Sequence, residues 1–357
     1  LDEENRLRDL AFLDELNVGK NLFFIDDNQP IYKSKIKSVL ITGGAGYIGS
    51  CVSRYLLKKG YKVIVIDKLN FGSESLGDLQ DNPKFQFKNC DIRNIELYKD
   101  HLKNSQAVIH LAALVGEKSC KVNEEETNSI NFLATLKLAE ASANFGVKNF
   151  IFMSTASSYG VQDINQVADE NTILNPVSLY AISKINSEKE LLNKFSEKLN
   201  ITIFRPSTVH GTSARMRFDL IVNHLVLDAF KKKQITILGP KMWRPLMWVG
   251  EPSRVFHSVL QSEESKIKSQ VFNLGANGEN FQKIEIAKLI KENFIPELKI
   301  DIIDKDPDLR SYKVNFDKIS KVLDYKPSKK IVEAMGEIFS SLKKNLYSDT
   351  NSQKYRN

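Results

Sequence analysis

From Ser38 onward, short apolar runs alternate with stretches of helical spacing. Val39-Leu40-Ile41-Thr42 is a β-branched, continuously apolar run, the pattern of a strand covered on both faces. A helix is predicted from Tyr47 to Lys59, then strands at Tyr61–Ile66, Phe85–Phe87 and Ala107–Leu111. A long helix over Asn123–Asn144 follows, and strands at Phe150–Met153 and Ile201–Phe204 bracket a helix over Val177–Leu199. Strand and helix in this alternation predict βαβ units, hence an α/β fold with a doubly wound parallel sheet. After Gly211 the alternation loosens. Strands are expected at Ile235–Leu238, Val271–Leu274 and Ile300–Ile303, with helices at Gln282–Glu292, Asp317–Leu323 and Lys330–Leu346, forming a smaller α/β lobe. Ahead of all this, Asn5–Leu16 has helical spacing, and Phe23-Phe24-Ile25 before Asp26-Asp27-Asn28-Gln29-Pro30 reads as a strand stub and a turn.

The first strand runs directly into Gly43-Gly44-Ala45-Gly46-Tyr47-Ile48-Gly49. Glycines at 43, 46 and 49, between a strand and a helix, permit a tight turn. Backbone N–H groups can then approach a pyrophosphate at the helix N-terminus. The next strand ends on Asp67, placed to accept hydrogen bonds from the adenosine ribose and to repel a 2′-phosphate. NAD is therefore expected over NADP, although Lys68 beside it is a cation that a 2′-phosphate could use. These features make residues 37–210 a dinucleotide-binding Rossmann domain and 211–346 a substrate lobe, with room for the chain to cross back between them. Residues 1–36 are an N-terminal extension and 347–357 a polar, disordered tail.

Tyr180-Ala181-Ile182-Ser183-Lys184 sets Tyr and Lys four apart, on one helix face. A phenol is a poor base at neutral pH, with a reference pKa of about 10. A neighbouring ammonium and a positively charged nicotinamide ring would stabilise its phenolate and make it a usable base for a sugar hydroxyl. Ser154, Thr155 and Ser157 place hydroxyls at the carboxyl end of the fifth strand, where ligands bind in open α/β sheets.

Composition narrows the setting. Charge is 51 − 44 = +7, but the lysines and arginines are scattered rather than blocked, which suits a solvated surface and a phosphate-bearing small ligand better than nucleic acid. Three cysteines without a C-x-x-C pair, and His residues without acidic partners at ligand spacing, predict neither a disulfide framework nor a metal site. The apolar run at Ala107–Gly116 is far below the roughly 18 residues of a membrane span. With no charged and then apolar leader at Leu1-Asp2-Glu3-Glu4, a cytoplasmic protein is expected.

Taken as a set, these residues resemble the extended short-chain dehydrogenase/reductase family, in its NAD-dependent nucleotide-sugar epimerase/dehydratase branch. The matching text is T-G-G-A-G-Y-I-G-S at Thr42–Ser50, Ile66-Asp67, D-I-R at Asp91–Arg93, H-L-A-A at His110–Ala113, Asn131 in N-x-x-x-T, and Y-A-x-S-K. The resemblance implies that Asp91 and Ile92 flank the adenine. It implies that Leu111, Ala112, Ala113, Asn131 and Pro206 belong to the dinucleotide site, and that Thr155, Tyr180 and Lys184 are the catalytic trio. It further implies oxidation of a nucleotide-diphosphate sugar at C4 to a 4-keto intermediate, and a homodimer built on the helices after Glu124 and Val177.

Two departures sharpen the reading. Dehydratases of the family usually carry Asp-Glu after the catalytic Thr, whereas this chain has Ala156-Ser157, which cannot do that acid–base work. Thr208 stands where the family usually has Asn. Cations suited to a diphosphate are Arg215, Arg217, Arg244 in W-R-P, and Arg310. The expected activity is a 4-epimerase. The alternatives are a C4-dehydrogenase releasing a 4-keto product, less readily a 4,6-dehydratase, and a non-catalytic dinucleotide-binding regulator.

Overall fold

A computed structural model describes residues 35–163, 165–347 and 349–357. The helix expected over Asn5–Leu16 and the stub at Phe23–Ile25 lie outside them. The chain opens on β1 (Ser38–Thr42), β2 (Lys62–Asp67), β3 (Phe85–Asn89), β4 (Ala107–His110) and β5 (Asn149–Met153). There follow β6 (Val167–Ala168), β7 (Asn200–Pro206), β8 (Thr208–His210), β9 (Gln234–Leu238) and β10 (Trp243–Trp248). The last are β11 (Gln270–Leu274), β12 (Asn280–Gln282), β13 (Lys299–Ile303) and β14 (Lys313–Val314). Among the described residues the main sheet has seven strands in the order β11-β7-β5-β4-β1-β2-β3, every pairing parallel. Val39, Leu40 and Ile41 are fully buried because helices cover both faces of such a sheet. Strand order reverses between β1 and β4, and the crevice outside their carboxyl ends is where this fold takes ligands.

On one face lies α1 (Tyr47–Lys58); on the other lie α2 (Ala134–Asn144) and α3 (Leu179–Phe195). The long helix expected over Asn123–Asn144 is interrupted: a short helix, Glu124–Asn128, and a π turn, Ser129–Leu133, precede α2. A π turn inserts one residue per turn and re-aims the side chains on it. Here it carries Asn131, whose Oδ1 accepts from Leu114 N at 2.8 Å and whose Nδ2 donates to Leu114 O at 2.9 Å.

The lobe after Gly211 contains α4 (Ile221–Lys232), α5 (Glu251–Gln261), α6 (Lys283–Asn293) and α7 (Ile331–Lys343), with small sheets β12-β10-β8 and β13-β9. Its boundary is not a core boundary. Val271–Leu274, expected as a strand of the smaller lobe, is β11 of the main sheet, with Phe272 opposite Phe204 on β7 and their rings stacked at 5.7 Å. An apolar strand needs a partner for its backbone, and the free edge of β7 supplies one. Helix α5 packs on α1, so one apolar core runs from β1 through Phe204 and Phe256 into Ile286 and Ile338.

Residues 347 and 349–357 correct the expected disordered tail. Tyr347 and Tyr355 are buried, each edge-on to Phe218, at 5.3 and 5.8 Å, and Phe218 N donates to Tyr355 O at 2.9 Å. Two aromatics among polar residues are enough to anchor a short segment when a third ring awaits them. Tyr355→Ala should lower the unfolding free energy by about 3 kcal/mol, the size of a buried aromatic truncation, read from a denaturant midpoint. An unchanged midpoint would contradict the packing.

Candidate active site

The turn after β1 is as tight as a backbone allows. Gly43 has φ +73°, a conformation L side chains rarely adopt, and a Cβ there would meet Ala112 N at 2.7 Å. A Cβ on Gly49 would lie 2.6 Å from Gly44 Cα, so the helix could not close on the turn. Helix α1 begins at Gly46 with no side-chain cap and no acidic residue in its first turn. That leaves an electropositive helix end facing a cavity of ≈ 670 Å³ at the sheet's switch point. Asp67, at the end of β2, accepts from Ala45 N at 3.0 Å and Leu69 N at 2.9 Å, which welds the glycine turn to the loop after β2. This is a cradle for a dinucleotide's pyrophosphate beside a carboxylate for its ribose, and NAD fits it. Lys68 points to Asp91, 3.3 Å from its carboxylate, so that cation is already engaged.

The rest of the expected cofactor set mostly converges. Gly46, Tyr47, Ile48, Asp91, Ile92, Leu111, Ala112, Ala113 and Pro206 line the same cavity. Tyr47 does so through its backbone, since its phenol turns inward, donating to Gly211 O at 2.6 Å and accepting from Asn223 at 3.1 Å. Asn131 does not line it. Its side chain braces the loop after β4 through Leu114 and also reaches Ser183 on α3 at 3.4 Å, between Tyr180 and Lys184 in sequence. His110 is likewise a brace, between Thr42 (2.6 Å) and Thr135 (2.8 Å), and burial holds its pKa at about 3, so it stays neutral.

Thr155, Tyr180 and Lys184 meet where β5 ends. Ser178 caps α3, accepting from Ala181 N at 3.2 Å, and the next turns present Tyr180 and Lys184 to the cavity. The Thr155 hydroxyl is near enough to the Tyr180 phenol to favour its ionised form, and Lys184 Nζ donates to Met153 O at 2.9 Å. Ser154 turns its hydroxyl away to donate to Glu188 on α3, whose carboxylate also takes Arg205 of β7, Nη2 at 2.7 Å. Burial pushes the Tyr180 pKa up to about 12, while Thr155 and the charges of Arg217 and Arg310 pull it back. Burial drives Lys184 down to about 7, opposed by the Glu188 carboxylate. The cations that favour phenolate in the protein alone are thus the two arginines, whereas the sequence pattern pointed to Lys184.

The substrate-side cations divide. Arg310 Nη1 reaches Ser157 Oγ at 3.2 Å and pairs with Asp308, which also takes Arg244 at 2.9 Å. Arg217 pairs with Asp219, and Lys283 with Asp306. Thr208 lines the cavity between these groups and the trio. Arg215 is elsewhere, stacked 3.8 Å over Phe71 on the loop that follows Asp67. Sequence reading missed Phe71, Lys283, Asp306 and Asp308 as lining residues. Only D-K-D-P-D-L-R, an acidic and basic run in a lobe of uncertain register, hinted at the last two. Among the described residues no three His, Cys, Asp or Glu side chains gather as metal ligands, and no helix is long and apolar enough to cross a membrane.

Cradle, carboxylate and Thr–Tyr–Lys trio on this sheet define a dinucleotide-dependent enzyme of the Rossmann type. Residues 39–275 match the NAD dependent epimerase/dehydratase family, and the chain belongs to it. It is 28% identical over 316 residues to a putative UDP-glucose 4-epimerase of Methanocaldococcus jannaschii, across 86% of this chain and 99% of that one. It is 32% identical over 274 residues to a dTDP-D-glucose 4,6-dehydratase of Dictyostelium discoideum, across 71% of this chain and 62% of the relative. Its fold matches that of the UDP-glucose 4-epimerase of Thermotoga maritima, solved with UDP-glucose, at a TM-score of 0.77 and 26% identity, over 87% and 99% of the two chains.

Two outcomes follow from this geometry. Gly49→Ala should leave a folded protein that has lost NAD binding, measured by cofactor content after purification; full retention would refute the cradle. Arg217→Gln removes a charge that lowers the Tyr180 pKa, so the phenolate forms at higher pH. The pH profile of bound-cofactor reduction should shift to the alkaline side, and an acid shift would contradict the assignment.

Proposed function

We propose that the protein is a nucleotide-sugar 4-epimerase working by transient oxidation at C4. One observation carries the reading. The Thr155–Tyr180–Lys184 trio lines one cavity, yet among the described side chains no unpaired carboxylic acid lines it beside the trio. Ala156 is buried, and Ser157 is held by Arg310. Asp219, Asp306 and Asp308, the substrate-side carboxylates, are each ion-paired, and the Arg310 hydrogen bond together with the Arg244 charge holds Asp308 well below the usual carboxylate range. Elimination of water needs a group that protonates the leaving hydroxyl; epimerisation does not.

Tyr180 takes the proton of the C4 hydroxyl, and Thr155 holds that oxygen and the phenol in line. Bound NAD supplies a hydride acceptor. Lys184 and Glu188 set the charge balance behind the phenol, and the buried floor of the cavity keeps water from the keto sugar. Arg244 and Arg310 suit a diphosphate and the adjoining sugar, since a guanidinium can take phosphate oxygens in pairs. A homodimer belongs to the same reading, supported by the exposed apolar Leu133 and Ile182 on the helices it would use.

The test is a panel of UDP-, GDP-, CDP- and dTDP-sugars, with the reduced-nicotinamide absorbance and product NMR read together. Inverted C4 stereochemistry with one of them supports the proposal. A deoxy-keto product, or a 4-keto product with accumulating NADH, overturns it. Tyr180→Phe should slow turnover about a thousandfold or more while leaving NAD bound; unchanged turnover would sink the mechanism.

A further inference from the structure

Arg215 is the odd cation of the cavity. It is 5% exposed, and no carboxylate pairs with it among the described residues, whereas Arg217, Arg244 and Arg310 each have one. Its Nη2 donates to two uncharged oxygens, Arg356 O at 3.0 Å and Asn357 Oδ1 at 2.6 Å, and its buried Nε has no partner. Its guanidinium lies 3.8 Å over the Phe71 ring, and burial lowers its pKa to about 10, with Arg217 adding to the effect. A desolvated guanidinium with neutral partners and an unused donor, aimed into a cavity, is a site waiting for an anion.

Its position says which anion. Phe71 stands four residues beyond Asp67 on the loop after β2, and Asp67 is near enough to act on the Arg215 charge. Phe71, Arg215 and Asn357 line the cavity together with the glycine turn. Asp308 and Arg310, in contrast, stand with Ser157 beside the catalytic trio. Stacked on Phe71, the guanidinium is thus held against the loop that follows Asp67, with Arg217 and Asp219 its charged neighbours on the other side. The bracing segment is itself fixed: Tyr355 is packed on Phe218 and Tyr347, and Lys231 is hydrogen-bonded to Thr350.

We propose that Arg215 binds the ribose–pyrophosphate of NAD from the side opposite the glycine turn, and that residues 349–357 form the strap that holds it there. The geometry makes the cofactor, not the substrate diphosphate, its ligand. Phe71 supplies a flat surface that fixes the guanidinium plane, and Asn357 fixes its rotation about that surface. The consequence is slow release of the dinucleotide, whichever sugar nucleotide the enzyme takes.

The test measures release of NAD and of NADP from the full-length protein by stopped-flow displacement, with no sugar present, so it is independent of the epimerase assignment. Arg215→Gln should speed NAD release by about 10- to 100-fold, the effect of losing one charge-assisted hydrogen bond. Asn357→Ala, which removes an exposed brace and leaves the core intact, should move NAD release in the same direction by a smaller factor. Unchanged NAD release in Arg215→Gln, in protein with an unaltered thermal midpoint, would overturn the proposal. So would a change confined to NADP, which would assign Arg215 to a 2′-phosphate.

Discussion

Everything catalytic in this protein hangs on one buried carboxylate. Glu188 lies on α3, four residues past Lys184 and eight past Tyr180, and it is inside the protein with Arg205 as its counter-ion. Arg205 Nε lies 3.1 Å from both carboxylate oxygens and its Nη2 is 2.7 Å from one, while Ser154 donates to the other. One side chain therefore ties the catalytic helix to the ends of β5 and β7. The tie continues outward: Arg205 Nη1 donates to Tyr159, whose hydroxyl donates to Asn273 of β11 at 2.7 Å. Deleting one partner of such a pair costs on the order of 3–5 kcal/mol, because the remaining charge is stranded in a low dielectric. That penalty is what locks α3 in register against the sheet, and Thr155 can meet Tyr180 only in that register.

Charge in the cavity is sorted by pairing. A helix N-terminus and Asp67 line it together with Arg215, which no carboxylate pairs among the described residues. Arg217, Arg244, Lys283 and Arg310 of the same lining are each met by an aspartate. Pairing offsets the burial of these cations, and the Arg310 and Arg244 guanidinia hold the half-buried Asp308 carboxyl below the usual carboxylate range. Of the arginines lining the cavity, Arg217, Arg244 and Arg310 are thus neutralised locally, and Arg215 is the exception among the described residues.

Much of this was readable in the linear chain. The glycine spacing, Asp67, Tyr180, Lys184 and Thr155 depend on local geometry: a strand end, a turn and a helix repeat set their placement within a few residues. Asn131 was read as a ligand residue because its motif is local too, but a π turn, which leaves no mark in the hydrophobic pattern, points it at Leu114 instead. The arginines were legible as a class and not as individuals. Arg215 and Arg217 sit two apart on one loop, yet Arg217 pairs with Asp219 while Arg215 stacks on Phe71, a divergence no spacing rule encodes.

The amino-acid order by itself determined the sheet, the glycine turn and the meeting of Thr155, Tyr180 and Lys184 on one cavity, because each follows from contacts within a few residues or from the period of apolar positions. Only the tertiary structure decided that β11 returns to the main sheet, that residues 349–357 are packed and brace Arg215, and which cations bias Tyr180. Those depend on pairings between residues tens to more than a hundred positions apart, such as Arg215 with Asn357 or Arg310 with Ser157. Burial gives such contacts their energy, and burial is a property of the folded whole.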